Sequence, residues 1–201
     1  MIQKSYRKIH FIGMGGIGMS GLAQICLKNG IKVSGSDIKE SRIVDRLRAL
    51  GGEFFLGHRA GNIASDVTEV VYSSSIADSN AELNFAFEKG LKVIHRSDLL
   101  LEISQDKTLI AVCGAHGKTT TASFISLLLK ENGFEPTCYV GGEVLNFKTN
   151  AILGKGKYLV AELDESDGSF LKFRPDFAVL TNIDREHLDY FKNISLILKQ
   201  I

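Results

Sequence analysis

The chain has 201 residues, 44% of them hydrophobic and 23% charged, with a net charge of +1. That balance belongs to a globular protein large enough for one big or two modest domains. The near-zero charge gives no footprint for nucleic acid, and no apolar run approaches the roughly 20 residues a membrane helix needs. Cys26, Cys113 and Cys138 are scattered without CxxC spacing. They argue against a disulfide framework or a Cys/His metal cluster and fit a reducing, cytoplasmic setting.

Lys4, Arg7 and Lys8 precede an apolar stretch that runs directly into glycines. This reads as a first strand rather than a signal peptide. Lys8 to Ile12, the turn Gly13-Met14-Gly15-Gly16-Ile17-Gly18 and a helix to about Asn29 follow in order, with Gly30 as the helix stop. Strands are predicted at 31–36, 53–56, 67–72 and 91–94, with helices near 40–49, 80–89 and 96–104. A second unit repeats the plan: a strand at 108–113, a turn from Gly114 to Thr120, and a helix ending near Asn132-Gly133. Strands at 138–140, 157–161 and 177–180 come next; Pro136 and Pro175 each stand just before one of them. Alternating strands and helices predict an α/β protein with parallel sheets covered on both faces. The polar stretch Ser104 to Lys107 marks a boundary between a Rossmann-like domain at 1–105 and a P-loop α/β domain at 106–201. Residues 194–201 have the pattern of an amphipathic helix without a cap, which reads as a chain cut within its second domain.

The first glycine turn has the strand-turn-helix setting of a dinucleotide fingerprint. Small residues let the backbone approach a diphosphate, and the helix start supplies free N–H groups and partial positive charge. Asp37, at the end of the next strand, is placed to accept a ribose hydroxyl. These features alone favour a nicotinamide or flavin cofactor, although the loop itself specifies only a diphosphate. Ser73, Ser74 and Ser75, and the pair His95-Arg96, follow other strands and suit an anionic ligand at the same edge.

The second turn, Gly114-Ala115-His116-Gly117-Lys118-Thr119-Thr120, departs from the strict P-loop pattern only in carrying Val112 where a glycine is expected. Its backbone N–H groups suit phosphate, Lys118 suits the outer phosphates, and the Thr119 hydroxyl suits magnesium. A further oxygen ligand is needed for that ion. Glu162, Asp164, Glu165 and Asp167 crowd one strand end, which is costly unless a metal or hydroxyl ligand partners them. His187 follows another strand end, at Thr181-Asn182.

Taken together, Gly13 to Ala23, Ser34 to Asp37, Gly114 to Thr120, Ala161 to Phe170 and Thr181 to Asp189 resemble the Mur ligase family of peptidoglycan synthesis. In that family the loop at 114–120 has its normal form, so Val112 is no defect. The resemblance implies that the first domain holds UDP-N-acetylmuramate rather than NAD, with Gly15, Gly16, Gly18, Met19 and Ser20 along the diphosphate. Asp37, Ser73, Ser74 and Ser75 would help hold the nucleotide. It implies ATP at Gly114 to Thr120, Lys118 on its phosphates, and Mg2+ on Thr119, Glu162 and His187. Lys118, Glu162 and His187 would be the catalytic residues. The implied reaction is amide formation between UDP-N-acetylmuramate and L-alanine through an acyl phosphate, with no nucleic acid and no membrane insertion. The family's third domain, with the amino-acid site, is missing from the pattern, so the chain is expected to be inactive by itself. A branch that joins murein tripeptide to the same sugar nucleotide is the nearest alternative; Ser166 stands where that branch tends to have tyrosine. A NAD-binding module and a P-loop ATPase without a sugar substrate are the others.

Overall fold

The structure, a computed structural model, describes residues 7–164 and 168–184. Glu165, Ser166, Asp167 and His187, and the helix expected at 194–201, lie outside the described residues. The chain divides into two compact units, Met1–Leu100 and Leu101–Ile201.

Unit 1 runs β1 (Lys8–Ile12), α1 (Ile17–Lys28), β2 (Lys32–Asp37), α2 (Arg42–Ala49), β3 (Glu53–Leu56), β4 (Glu69–Tyr72), α3 (Ala81–Glu88) and β5 (Lys92–His95), and α4 (Arg96–Ser104) follows. The five strands form a wholly parallel sheet in the order β3-β2-β1-β4-β5. The chain therefore moves outward from β1 on one side, then returns to continue on the other, and the order reverses between β1 and β4. In open α/β sheets ligands sit at such a reversal, beyond the carboxyl ends of the strands. β1 lies mid-sheet with both faces covered, so Ile9, Phe11 and Ile12 are fully buried. Side-chain caps start two of the helices. Ser41 Oγ accepts from Val44 N, and Asn80 Oδ1 accepts from Glu82 N and Leu83 N at 2.9 and 3.1 Å.

Unit 2 contains β6 (Thr108–Cys113), α5 (Lys118–Glu131), β7 (Thr137–Val144), β8 (Thr149–Ile152), β9 (Tyr158–Glu162) and β10 (Phe177–Leu180). Its sheet order is β10-β6-β9-β7-β8, parallel except for β8, which runs antiparallel to β7. The core gathers Val112, Ala122, Val140, Val144 and Val160, with Ile125 and Leu129 of α5 against them. Val112 is thus a buried strand residue, paired in register with Val179 and Glu162, and the loop proper begins at Gly114. β8 was not expected. Thr149 and Asn150 are buried polar residues, so the strand lacks the apolar alternation that would reveal it. β7 is longer than expected because Gly141 and Gly142 stay extended instead of ending it.

Candidate functional site

In unit 1 the glycine turn sits at the carboxyl end of β1. Gly13 N and Met14 N both donate to the Ser36 carbonyl, at 2.9 and 2.8 Å, and Gly16 N donates back to the Gly13 carbonyl. The turn is bent tightly over β2 and enters α1 with no side-chain cap, which leaves the helix start to a ligand. Asp37 braces this turn: its Oδ2 accepts from Gly15 N at 2.9 Å and its Oδ1 from Ile38 N at 2.7 Å. A carboxylate already holding the loop backbone is less available to a ribose than the dinucleotide pattern supposes. Met19 and Ser20 are buried, and Ser20 Oγ donates to the Ile17 carbonyl. These positions therefore face the interior, and Gly15, Gly16 and Gly18 carry the turn. Ser73, Ser74 and Ser75 follow β4 across the strand-order reversal. A Cβ placed on Gly13 would stand 3.3 Å from Ile76 Cδ1, so the serine turn and the glycine turn are neighbours. Ser74 Oγ lies 3.1 Å from His95 Nε2, which joins the two downstream turns singled out from sequence.

A cluster that sequence reading missed lies at the same edge. Glu82, in the first turn of α3, is fully buried. It accepts hydrogen bonds from the Ser36 hydroxyl, from Asn62 Nδ2 at 2.6 Å and from Arg59 N at 3.4 Å, and its Oε2 stands 3.2 Å from His58 Nδ1. His10 Nε2 faces Oε1 at 3.6 Å, while His10 Nδ1 meets Ser34 Oγ at 3.0 Å. Burial pushes the Glu82 carboxyl up, but the His10 ring, the Ser36 hydroxyl and the Asn62 amide outweigh it and hold the group at about 2. The available signal was a histidine two residues past a strand end and an acid at the second position of a helix. The latter passes for an ordinary partner of the helix dipole.

In unit 2 the loop Gly114 to Gly117 joins β6 to α5. Gly114 has φ +119°, a conformation L side chains rarely adopt, and a Cβ there would meet Thr181 Oγ1 and the Asn182 backbone. Gly117 opens α5 at φ +79°. The loop is held from β10: Thr181 Oγ1 donates to the His116 carbonyl at 2.7 Å, Asn182 Nδ2 does so at 2.9 Å, and His116 N donates to Asn182 Oδ1 at 3.0 Å. Thr181 and Asn182, the start of the sequence motif at 181–189, thus act as the loop's brace. Lys118 Nζ folds over the loop onto the Gly114 and Ala115 carbonyls, at 2.6 and 3.2 Å. Thr119 Oγ1 lies 2.9 and 3.1 Å from the two Glu162 carboxylate oxygens, and Glu162 Oε2 also accepts from Gly141 N at 2.6 Å. The structure therefore brings Lys118, Thr119 and Glu162 together at one strand edge. A hydroxyl beside a carboxylate is an oxygen donor set of the kind hard divalent cations take. Among the described residues no group of three or more His, Cys, Asp or Glu side chains could hold a metal ion.

Two family models match the chain: the catalytic domain of the Mur ligase family over residues 8–108, and the Mur ligase middle domain over 112–200. The chain belongs to the Mur ligase family. A UDP-N-acetylmuramate–L-alanine ligase of Carboxydothermus hydrogenoformans is 50% identical over 202 aligned residues; the match takes in 99% of this chain and 44% of that relative. The chain thus spans less than half the length of such relatives. Among solved structures, the UDP-N-acetylmuramate–alanine ligase of Thermotoga maritima superposes with a TM-score of 0.88 at 33% identity, covering 96% of this chain and 45% of that one. The UDP-N-acetylmuramate:L-alanyl-γ-D-glutamyl-meso-diaminopimelate ligase of Neisseria meningitides superposes with a TM-score of 0.89 at 30% identity, covering 98% and 66%. In this Mur ligase chain, as in the described sheets, the α/β fold with a parallel five-stranded sheet is the expected one. No helix among the described residues is long and apolar enough to cross a membrane.

Proposed function

We propose that this chain is the nucleotide-binding portion of an ATP-dependent amide ligase that joins L-alanine to UDP-N-acetylmuramate in the cytoplasm. The observation that carries the reading is the loop at 114–120, with Lys118 over its mouth and Thr119 paired to Glu162 at the strand edge. Unit 1 takes the UDP-sugar at the Gly13–Gly18 turn, and unit 2 takes ATP at the loop. A muramate carboxylate oxygen attacks the γ-phosphorus and ADP leaves. The amine of L-alanine then attacks the acyl carbon, phosphate leaves with the bonding pair, and the proton released from the nitrogen passes to the departing phosphate. Lys118 offsets charge on the transferred phosphoryl group, and the loop N–H groups fix its direction, so catalysis is positioning and electrostatics. Magnesium, held through Thr119, Glu162 and His187, would supply charge neutralisation on the phosphate oxygens.

The L-alanine acceptor is favoured over a tripeptide by the 50% identity to an L-alanine ligase along nearly the whole chain. The NAD reading is disfavoured by the two Mur ligase family models, which match residues 8–108 and 112–200. Calorimetric titration of the chain decides between them: UDP-N-acetylmuramate binds and NADH does not. Binding of NADH with no response to UDP-N-acetylmuramate overturns the assignment.

A further inference from the structure

Two carboxylates of unit 1 are buried among the described residues, Glu69 and Glu82; Glu69 is paired with Arg7 and Lys92, whereas Glu82 sits in a cluster at the ligand edge that the proposed ligand contacts leave unexplained. A fully buried carboxylate is expensive to keep, and nothing about the sheet requires one there. Its partners are drawn from four separate segments: His10 on β1, Ser36 on β2, His58 and Asn62 after β3, and Glu82 itself on α3. Ser36 is the residue whose carbonyl receives Gly13 N and Met14 N, so the cluster is tied to the glycine turn through one residue. His58 stands just past the carboxyl end of β3, where Gly57 N donates to the Asp37 carbonyl. Its side chain is 18% exposed, whereas Glu82 beneath it is sealed.

The hydrogen-bond roles follow from the partners. The Ser36 hydroxyl donates to Glu82. Both acceptors near His58 Nδ1, the Ser36 oxygen at 2.8 Å and Glu82 Oε2 at 3.2 Å, then call for a proton on Nδ1. With the Nδ1 proton so held, the neutral form of the ring has Nε2 as its acceptor. Asp37 and the exposed Arg59 are the other charged groups at this edge.

We propose that Glu82 is a positioning residue for nucleoside recognition: it holds the His58 ring as the Nδ1–H tautomer, so that Nε2 offers a fixed acceptor to a nucleoside hydroxyl or imide N–H. This rests on the reading that unit 1 takes a UDP-sugar. It assigns Glu82 no contact with ligand; the contact belongs to His58. The depressed carboxyl of Glu82 keeps the acceptor ionised across the working pH range, which the tautomer requires.

Two measurements on the whole chain test it. Long-range 1H–15N NMR should find the His58 proton on Nδ1, and E82Q, which keeps the volume but loses the charge, should mix the tautomers. Titration with UDP-N-acetylmuramate should show H58A about tenfold weaker than the native chain, the worth of one hydrogen bond. E82Q should be weakened by several-fold, and the double variant should be no weaker than H58A alone, because the two residues act in series. Affinity for Mg-ATP should be unchanged in all three. Should E82Q fail to fold, S36A supplies the same test through the second acceptor. Tautomer control is overturned if His58 carries its proton on Nε2, or if E82Q and H58A weaken binding additively. If the native chain binds UDP-N-acetylmuramate and H58A binds it equally well, the positioning role falls while the ligand of unit 1 stands. If the native chain binds Mg-ATP but no UDP-sugar, the ligand assignment itself falls, and the proposal with it.

Discussion

Replacing Gly114 by alanine places a methyl group where the loop has no room for one. At φ +119° an L residue costs about 1–3 kcal/mol in backbone strain. The new Cβ would also meet Thr181 Oγ1 and lie 2.7 Å from the Asn182 carbonyl oxygen and 3.0 Å from its nitrogen. Those neighbours are fixed: Thr181 N donates to the Cys113 carbonyl at 3.0 Å, and Ala115 N to the Asn182 carbonyl at 3.3 Å. Relief therefore breaks at least one of these bonds, each worth about 1 kcal/mol. The sum is about 2–4 kcal/mol. Gly133 provides the control. It has φ +79° in the same unit, but a Cβ there finds nothing within 4 Å, so G133A should cost only about 1 kcal/mol. Hydrogen exchange read separately on β6 and β1 amides distinguishes the units. G114A should speed exchange in β6 far more than G133A does, with β1 unchanged in both. Equal effects of the two substitutions would refute the argument that Thr181 and Asn182 brace the loop.

Glu162→Ala should weaken Mg-ATP binding by at least about tenfold, as expected for losing a charged ligand, and leave UDP-N-acetylmuramate binding unaltered in calorimetry. Lys118→Ala should cost less than about 1 kcal/mol of stability, since its two bonds to loop carbonyls are half-exposed, yet lower ATP affinity by at least about tenfold through loss of a charge-assisted phosphate contact; a variant with native affinity would contradict its role. Glu82 predicts an acid limb. Its carboxyl is held at about 2 in the fold against 4.5 unfolded. Its contribution, about 2–3 kcal/mol once screening is allowed for, is complete above the unfolded value and disappears as pH falls through the folded one. Urea unfolding of the native chain should therefore lose stability between those two pH values, and E82Q should show a flatter limb.

Much of this was legible in the sequence because the two strand–glycine-turn–helix units are local. The turn at 13–18 and the loop at 114–120 each depend on residues adjacent in the chain, so spacing alone located both. Thr119 and Glu162 were also within reach, since an acid-rich strand end invites a cation partner. What stayed hidden depends on long-range packing. The bond from Gly15 N to Asp37 spans 22 positions and exists only once β2 lies beside β1. The burial of Met19 and Ser20 at the start of α1 depends on how that helix packs on the sheet. β8 carries no apolar alternation because its buried residues are polar. Glu82 and His58 are separated by 24 positions, and no local pattern marks them as neighbours.

The central claim is that the loop at 114–120, with Thr119 and Glu162, is an ATP site that works with magnesium. Titration of the chain with ATP, with and without magnesium and followed by amide exchange, tests it most directly. The account predicts one magnesium-dependent site, with protection at Gly114 to Thr120 and at the β9 end near Glu162. ATP binding indifferent to magnesium, or protection at Gly13 to Gly18 instead, would contradict it.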